Sequence, residues 1–184
     1  MIIEGLVATH SDEGVPHLAV MGAVVDDAWQ RIELRPFCET QTCQNLQHHP
    51  VAVFHTTDQV DLIVRLIIGE SPELAWLPAQ CVAGSIYGGC CRYFELSATY
   101  VDLRPPRAQF QFRVEAQGEL RPAVGFNRAK HLILEAAILV SRADFLPGEE
   151  LQQKLAWFEP TIRKTGSGLD IAAFEQLQRF LHAR

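Results

Sequence analysis

The stretch RAQFQFRVEAQG (residues 107–118) alternates along most of its length. Phe110, Phe112, Val114 and Ala116 fall on one face, and Gln109, Gln111, Arg113 and Glu115 on the other. A period of two puts one face in a core and the other in water, the pattern of an antiparallel strand. Just before it, CRYFELSATYVDL (91–103) is a second long strand, stopped by Arg104-Pro105-Pro106. Residues 2–9 and 15–25 are apolar and β-rich around the turn SDEG, a hairpin. Residues 29–35 (WQRIELR), bounded by Asp26-Asp27 and Pro36, predict a third strand, and VAVFHTT (51–57) a buried one. A meander with few helices between its strands argues against a doubly wound parallel sheet. It favours a small closed or split barrel.

Helices punctuate this pattern and then replace it. A short one is expected at about 41–48, and another from a cap at Asp58 to about Ile68, followed by a loop through GESPELAWLP (69–78). From Asn127 the period changes to that of a helix, with Ala129, Leu132, Ile133, Ala136 and Val140 on one stripe ending near Arg142. Two more helices are expected at about 149–158 and 170–182, split by EPTIRKTGSGLD, with Asp170 as the cap of the last. The expected fold is α+β, mainly β. Residues 1–125 form a barrel with inserted short helices, and 126–184 a C-terminal helical cap packed on it as one structural unit.

Composition narrows the function classes. At 184 residues, 48% hydrophobic and 21% charged, the chain can bury a core without disulfides. A net charge of −6 gives no broad basic face, so no nucleic-acid partner is expected. Apolar runs such as Leu62 to Ile68 are too short to span a bilayer, and the N-terminus reads as a strand rather than a signal peptide. No membrane partner and a cytoplasmic location are therefore expected. Five cysteines, Cys38, Cys43, Cys81, Cys90 and Cys91, follow no disulfide or zinc spacing. They read as reduced thiols, and no metal site is expected.

Two places set charge against backbone. In LRPFCETQTCQNLQHHP (34–50) a strand ends at Arg35-Pro36 and a short helix starts behind Thr40, with Thr42 two positions in. Free amides of residues 41 to 43, two hydroxyls and one guanidinium are the parts of a phosphate cradle. A threonine cap beside a surface arginine is the simpler alternative. The helix after Asn127 opens with Arg128, Lys130 and His131, cations where the helix dipole favours acids. A bound anion would resolve that conflict, and a solvated face with a His131–Glu135 pair is the other reading. KTGSG (164–168) lacks the preceding strand and residue order of a nucleotide loop. No nucleophile or acid–base pair stands out, so catalytic residues are left unassigned.

The segments IIEGLVATHSDEGVPHLAVMG, LRPF with its following threonines and NL, VFHTTD, GFNRAKHLILEAAILVSR and KTG, in this order, resemble the DUF447 family. The resemblance spans nearly the whole chain, and NRAKH with the following EA is its most specific part. That family resembles the flavin-reductase-like, FMN-binding split β-barrel proteins, which implies FMN as cofactor, held near the interface of a homodimer. It implies contacts from Arg35, Pro36, Phe37, Thr40, Thr42 and Asn45 at the strand-to-helix phosphate segment. Met21 and Gly22 would approach the isoalloxazine ring, and Asn127, Lys130 and His131 belong to the signature helix. A possible oxidoreductase is implied, with NAD(P)H or a pterin as candidate further ligand and a link to pterin-dependent one-carbon metabolism. A non-catalytic flavin-binding or assembly protein, or a split barrel for another cofactor, is the alternative.

Overall fold

Phe110 and Phe112 point into the interior of a closed barrel, both essentially without solvent contact. The computed structural model describes residues 1–183. Its strands are β1 (Ile2–His10), β2 (Pro16–Val25), β3 (Arg31–Leu34), β4 (Val51–Thr56), β5 (Trp76–Pro78), β6 (Ser85–Tyr87), β7 (Arg92–Asp102) and β8 (Gln109–Glu119). The barrel runs β1-β2-β3-β8-β7-β4, antiparallel throughout, and closes through β1 against β4. Closure leaves the sheet no free edge along the paired stretches. Val7, Ala23, Ile32, Leu34, Phe54, Phe94, Leu96 and Phe110 fill it.

Trp29 was expected to begin the third strand. It lies instead in the turn before β3, with a positive φ of 55°. That backbone region is unfavourable for a bulky residue, and packing compensates. The indole stacks on Phe94 with ring centroids 4.6 Å apart, under the Arg92 guanidinium.

A two-stranded hairpin, β5 with β6, lies outside the barrel against β1 and β4. Trp76–Pro78 was expected to be loop. It is too short to show a period, and only its pairing with β6 makes it a strand. Two buried polar groups on the barrel's outer face hold this segment. His55 accepts the Tyr87 amide at Nε2 (3.0 Å), with Nδ1 3.2 Å from the Leu6 carbonyl. The Glu95 carboxylate, fully enclosed, accepts the amides of Gln80, Cys81 and Val82.

Helix α1 (Gln41–His48) belongs to the barrel unit, which comprises Met1–Thr57 and Leu74–Ala123. The second unit joins Asp58–Glu73 to the chain from Val124 onward. Its helices are α2 (Val60–Ile67), α3 (Arg128–Val140), α4 (Gly148–Thr165) and α5 (Gly168–His182). The inserted α2 thus groups with the C-terminal helices, packing on α3 and α5. Gln59, not Asp58, is its N-cap, because the Asp58 carboxylate accepts the Val124 amide at 2.7 Å. Helix α4 runs through Pro160 instead of stopping near 158. Its buried stripe of Leu151, Leu155, Phe158 and Ile162 continues across the proline, so packing outweighs the lost hydrogen bond. Among the described residues no helix is long and apolar enough to cross a membrane.

Candidate functional site

The last pair of the β2–β3 ladder is Ala23 with Leu34. Beyond it β3 ends, and β2 continues through Gly22 and Met21 paired only with β1. The edge of β2 at Met21 and Gly22 therefore faces no strand, next to the point where Arg35 and Pro36 lead the chain away. The Met21 side chain packs on the barrel core. Gly22 lies opposite Glu4, and a Cβ there would come within 2.9 Å of the Glu4 carboxylate.

The departing chain forms a tight turn into α1. The Thr40 amide and hydroxyl both donate to the Phe37 carbonyl, at 3.0 and 2.8 Å. The same hydroxyl accepts the Cys43 amide at 3.3 Å, so Thr40 is the N-cap expected of it. The amides of Gln41 and Thr42 head the helix, where no intrahelical acceptor exists for them. A helix head of this kind, with the dipole behind it, favours an anion over a cation.

The side chains divide into those that can serve such a site and those already committed. Arg35 is exposed, its Nε bonded to the Glu33 carboxylate. Phe37 is 48% exposed. Thr42 is buried as a whole residue, backbone included, so Gln41 is the exposed residue at the head of α1. Asn45 was expected to touch the cofactor. It is buried as well, donating to Thr9 Oγ1 at 2.9 Å and accepting from Gln41 Nε2 at 2.7 Å, which fastens α1 to β1. A cavity of about 360 Å³ on the flank of α1 carries Asp12, Glu13, Gln44 and His48. Gln41 lines it too, so Asp12 and Glu13 stand on one flank of the helix head and disfavour a phosphate on that side.

Asn127, Lys130 and His131 lie in the second unit, and the first two have internal partners. Asn127 caps α3 by accepting the Lys130 amide at 3.1 Å and donates to the Thr165 carbonyl at 3.1 Å. Lys130 Nζ donates to Asp170 at 2.9 Å. The anion that the unusual basic turn calls for is thus supplied, for Lys130, by the chain itself. Asp170 was expected to cap α5, but Ser167 does so, and Asp170 completes a capping box three residues on. Burial pushes the Asp170 carboxyl up, but the hydrogen bonds from Lys130 and Ser167 outweigh it and hold the pKa below the usual range. The KTGSG turn is part of this junction. A Cβ at Gly166 would lie 2.8 Å from the Ile162 carbonyl and 3.2 Å from Ala129. His131 is exposed beside Phe126.

Sequence reasoning missed Arg107. It bridges to Phe37 across the turn, places its guanidinium 3.8 Å from that ring and donates to the Arg35 carbonyl at 3.0 Å. A residue 72 positions from Arg35 gives no local signal, and only closure of the barrel brings them together. Burial pushes the Cys43 thiol up, and the Cys90 thiol up to about 11, so both are inert. Among the described residues no cluster of three His, Cys, Asp or Glu side chains could hold a metal ion.

Two family models match, the N-terminal domain of the DUF447 proteins of unknown function over residues 3–121 and a second DUF447 model over 127–179. The chain belongs to the DUF447 family. An FMN-bound DUF447 protein from Methanosarcina mazei is 15% identical, with a TM-score of 0.82 over 97% of this chain and 94% of that one. An FMN-binding protein from Thermus thermophilus, also 15% identical, matches with a TM-score of 0.54 over 64% of this chain and 70% of its own. The styrene monooxygenase flavin reductase of Pseudomonas putida S12 is 12% identical, with a TM-score of 0.55 over 65% and 80%. These neighbours share the flavin-reductase-like split-barrel fold with this DUF447 chain. No curated protein matches the sequence.

Proposed function

We propose that this DUF447 protein binds FMN, its phosphate at the head of α1 and its ring toward the open edge of β2. The observation that carries this reading is the likeness, over almost the whole chain, to an FMN-bound member of the same family. The residues present fit the group. The exposed Gln41 at the head of α1, the Thr40 cap and the exposed Arg35 suit a phosphate monoester, and an unpaired strand edge at Met21 and Gly22 suits a planar ring system. Pro36 and Phe37 shape the turn that joins the two halves of the site. When bound, FMN would supply electron and hydride transfer, and the protein's part is to orient it and exclude water. Arg35 must let go of Glu33, or share it, to reach a phosphate.

The proposed assembly is a homodimer with FMN near the subunit interface. Tyr100, Val101 and Leu103 on the barrel unit are each more than 40% exposed, an apolar surface suited to a second copy. An oxidoreductase is the proposed class, with NAD(P)H as candidate donor and a pterin as candidate partner.

The absorption spectrum of freshly purified protein, with and without added FMN, tests the cofactor directly. Oxidised-flavin bands with one FMN per subunit are expected, and bleaching by NAD(P)H would mark the protein as an enzyme. Arg35→Ala removes a charge-assisted contact worth roughly 1.5–3 kcal/mol and should weaken FMN by about one to two decades. A variant that binds FMN like the parent would remove Arg35 from the site.

A further inference from the structure

The guanidinium of Arg107 has a ring contact and a hydrogen bond and yet no acid beside it. Its flat face covers the Phe37 ring at 3.8 Å, and Nη1 is tied to the Arg35 carbonyl at 3.0 Å. Neighbouring arginines are neutralised: Arg35 by Glu33, Arg104 by Asp102 and Arg113 by Glu115. No carboxylate pairs with Arg107 among the described residues. An aromatic face and a carbonyl dipole both favour a cation, but neither cancels its charge. Most of the five N–H donors of this side chain are left in a fixed plane, the arrangement that grips phosphate oxygens two at a time.

Its position connects this free charge to the head of α1. Phe37 carries Arg107 on its ring, and its carbonyl receives both the amide and the hydroxyl of Thr40. One residue therefore fixes the guanidinium and the helix cap together, and the cap is followed directly by the exposed Gln41 that heads α1. We propose that Arg107 is the principal phosphate-binding side chain of this site, prepositioned by the Phe37 ring and the Arg35 carbonyl. The proposal rests on the FMN reading above and extends it to a residue outside the strand-to-helix segment. It also gives Phe37 a role as platform for Arg107 rather than as a flavin contact. Arg35, bound to Glu33, becomes the secondary cation.

Titrations of FMN and of riboflavin, followed by flavin fluorescence, test this in the full chain with Arg107→Gln, Arg107→Lys and Phe37→Leu. Arg107→Gln should weaken FMN about tenfold to a hundredfold, more than Arg35→Ala does, and leave riboflavin unchanged. Arg107→Lys keeps the charge without the fork and should recover part of the loss. Phe37→Leu should weaken FMN several-fold through the unfixed guanidinium. The salt dependence of FMN binding should also flatten in Arg107→Gln, a readout that a purely structural role would not move. Arg107→Gln binding FMN as the parent does, while Arg35→Ala loses it, overturns the proposal and leaves the phosphate site standing. Equal losses of FMN and riboflavin would make Arg107 structural and also overturn it. A parent protein with no preference for FMN over riboflavin removes the phosphate site itself.

Discussion

At the scale of single residues, the buried polar groups of the barrel are structural, and their predicted effects are on stability. His55 is enclosed between Leu6 and Tyr87, and burial lowers its pKa from 6.5 to about 4. The unfolded chain takes up that proton near pH 6.5, the folded one only near 4. Stability is therefore intact above 6.5 and falls as the pH drops toward 4, by about 3 kcal/mol for this group. Urea midpoints at pH 7 and pH 4.5 should show the drop, and His55→Gln should make it smaller, with His10 and His17, whose pKa values burial also lowers, contributing to the remainder. Glu95 makes a second case. Glu95→Gln turns an amide NH₂ group toward backbone donors and should cost about 1–3 kcal/mol, with residues 79–84 becoming the first site of proteolytic cleavage. Neither role was legible in the sequence, because a histidine in VFHTT and a glutamate in FEL look like ordinary strand residues. What the sequence did disclose at this scale was Thr40, whose cap needs only its own neighbours.

Among the elements, the strands and the first helix were readable because each carries its own period or cap. The hairpin at residues 2–25, α1 at 41–48 and the alternation of β8 all stand where the pattern put them. The failures have tertiary causes. Pro160 lies inside α4 because the apolar stripe continues past it, and β5 exists only through its pairing with β6. The basic start of α3 left a bound anion and a solvated face both open, and for Lys130 the partner is the carboxylate of Asp170, 40 residues away. Lys130→Met leaves that buried carboxylate unpaired. It should lower stability by about 2 kcal/mol, discounted because the lysine is partly exposed, and should leave FMN affinity unchanged. Thermal melts with FMN titration of the same variant separate the two effects. A loss of FMN binding without a loss of stability would return Lys130 to the cofactor site.

For the molecule as a whole, the barrel was legible from strand period and the order of turns. The candidate site was only half legible. The turn at 35–42 announces itself by its threonine cap, whereas the open edge of β2 and the guanidinium of Arg107 exist only once β3 stops short and the barrel closes. The proposed homodimer rests on the apolar surface at Tyr100, Val101 and Leu103. Sedimentation at micromolar concentration should give a dimer, and Val101→Glu should shift it toward monomer. The account's central claim is that this end of the barrel recognises a phosphate on a flavin. Isothermal titration of the parent protein with FMN and with riboflavin tests it most directly. One FMN per subunit, bound at least about tenfold more tightly than riboflavin, is the predicted result. Equal affinities, or no binding of either, would contradict it.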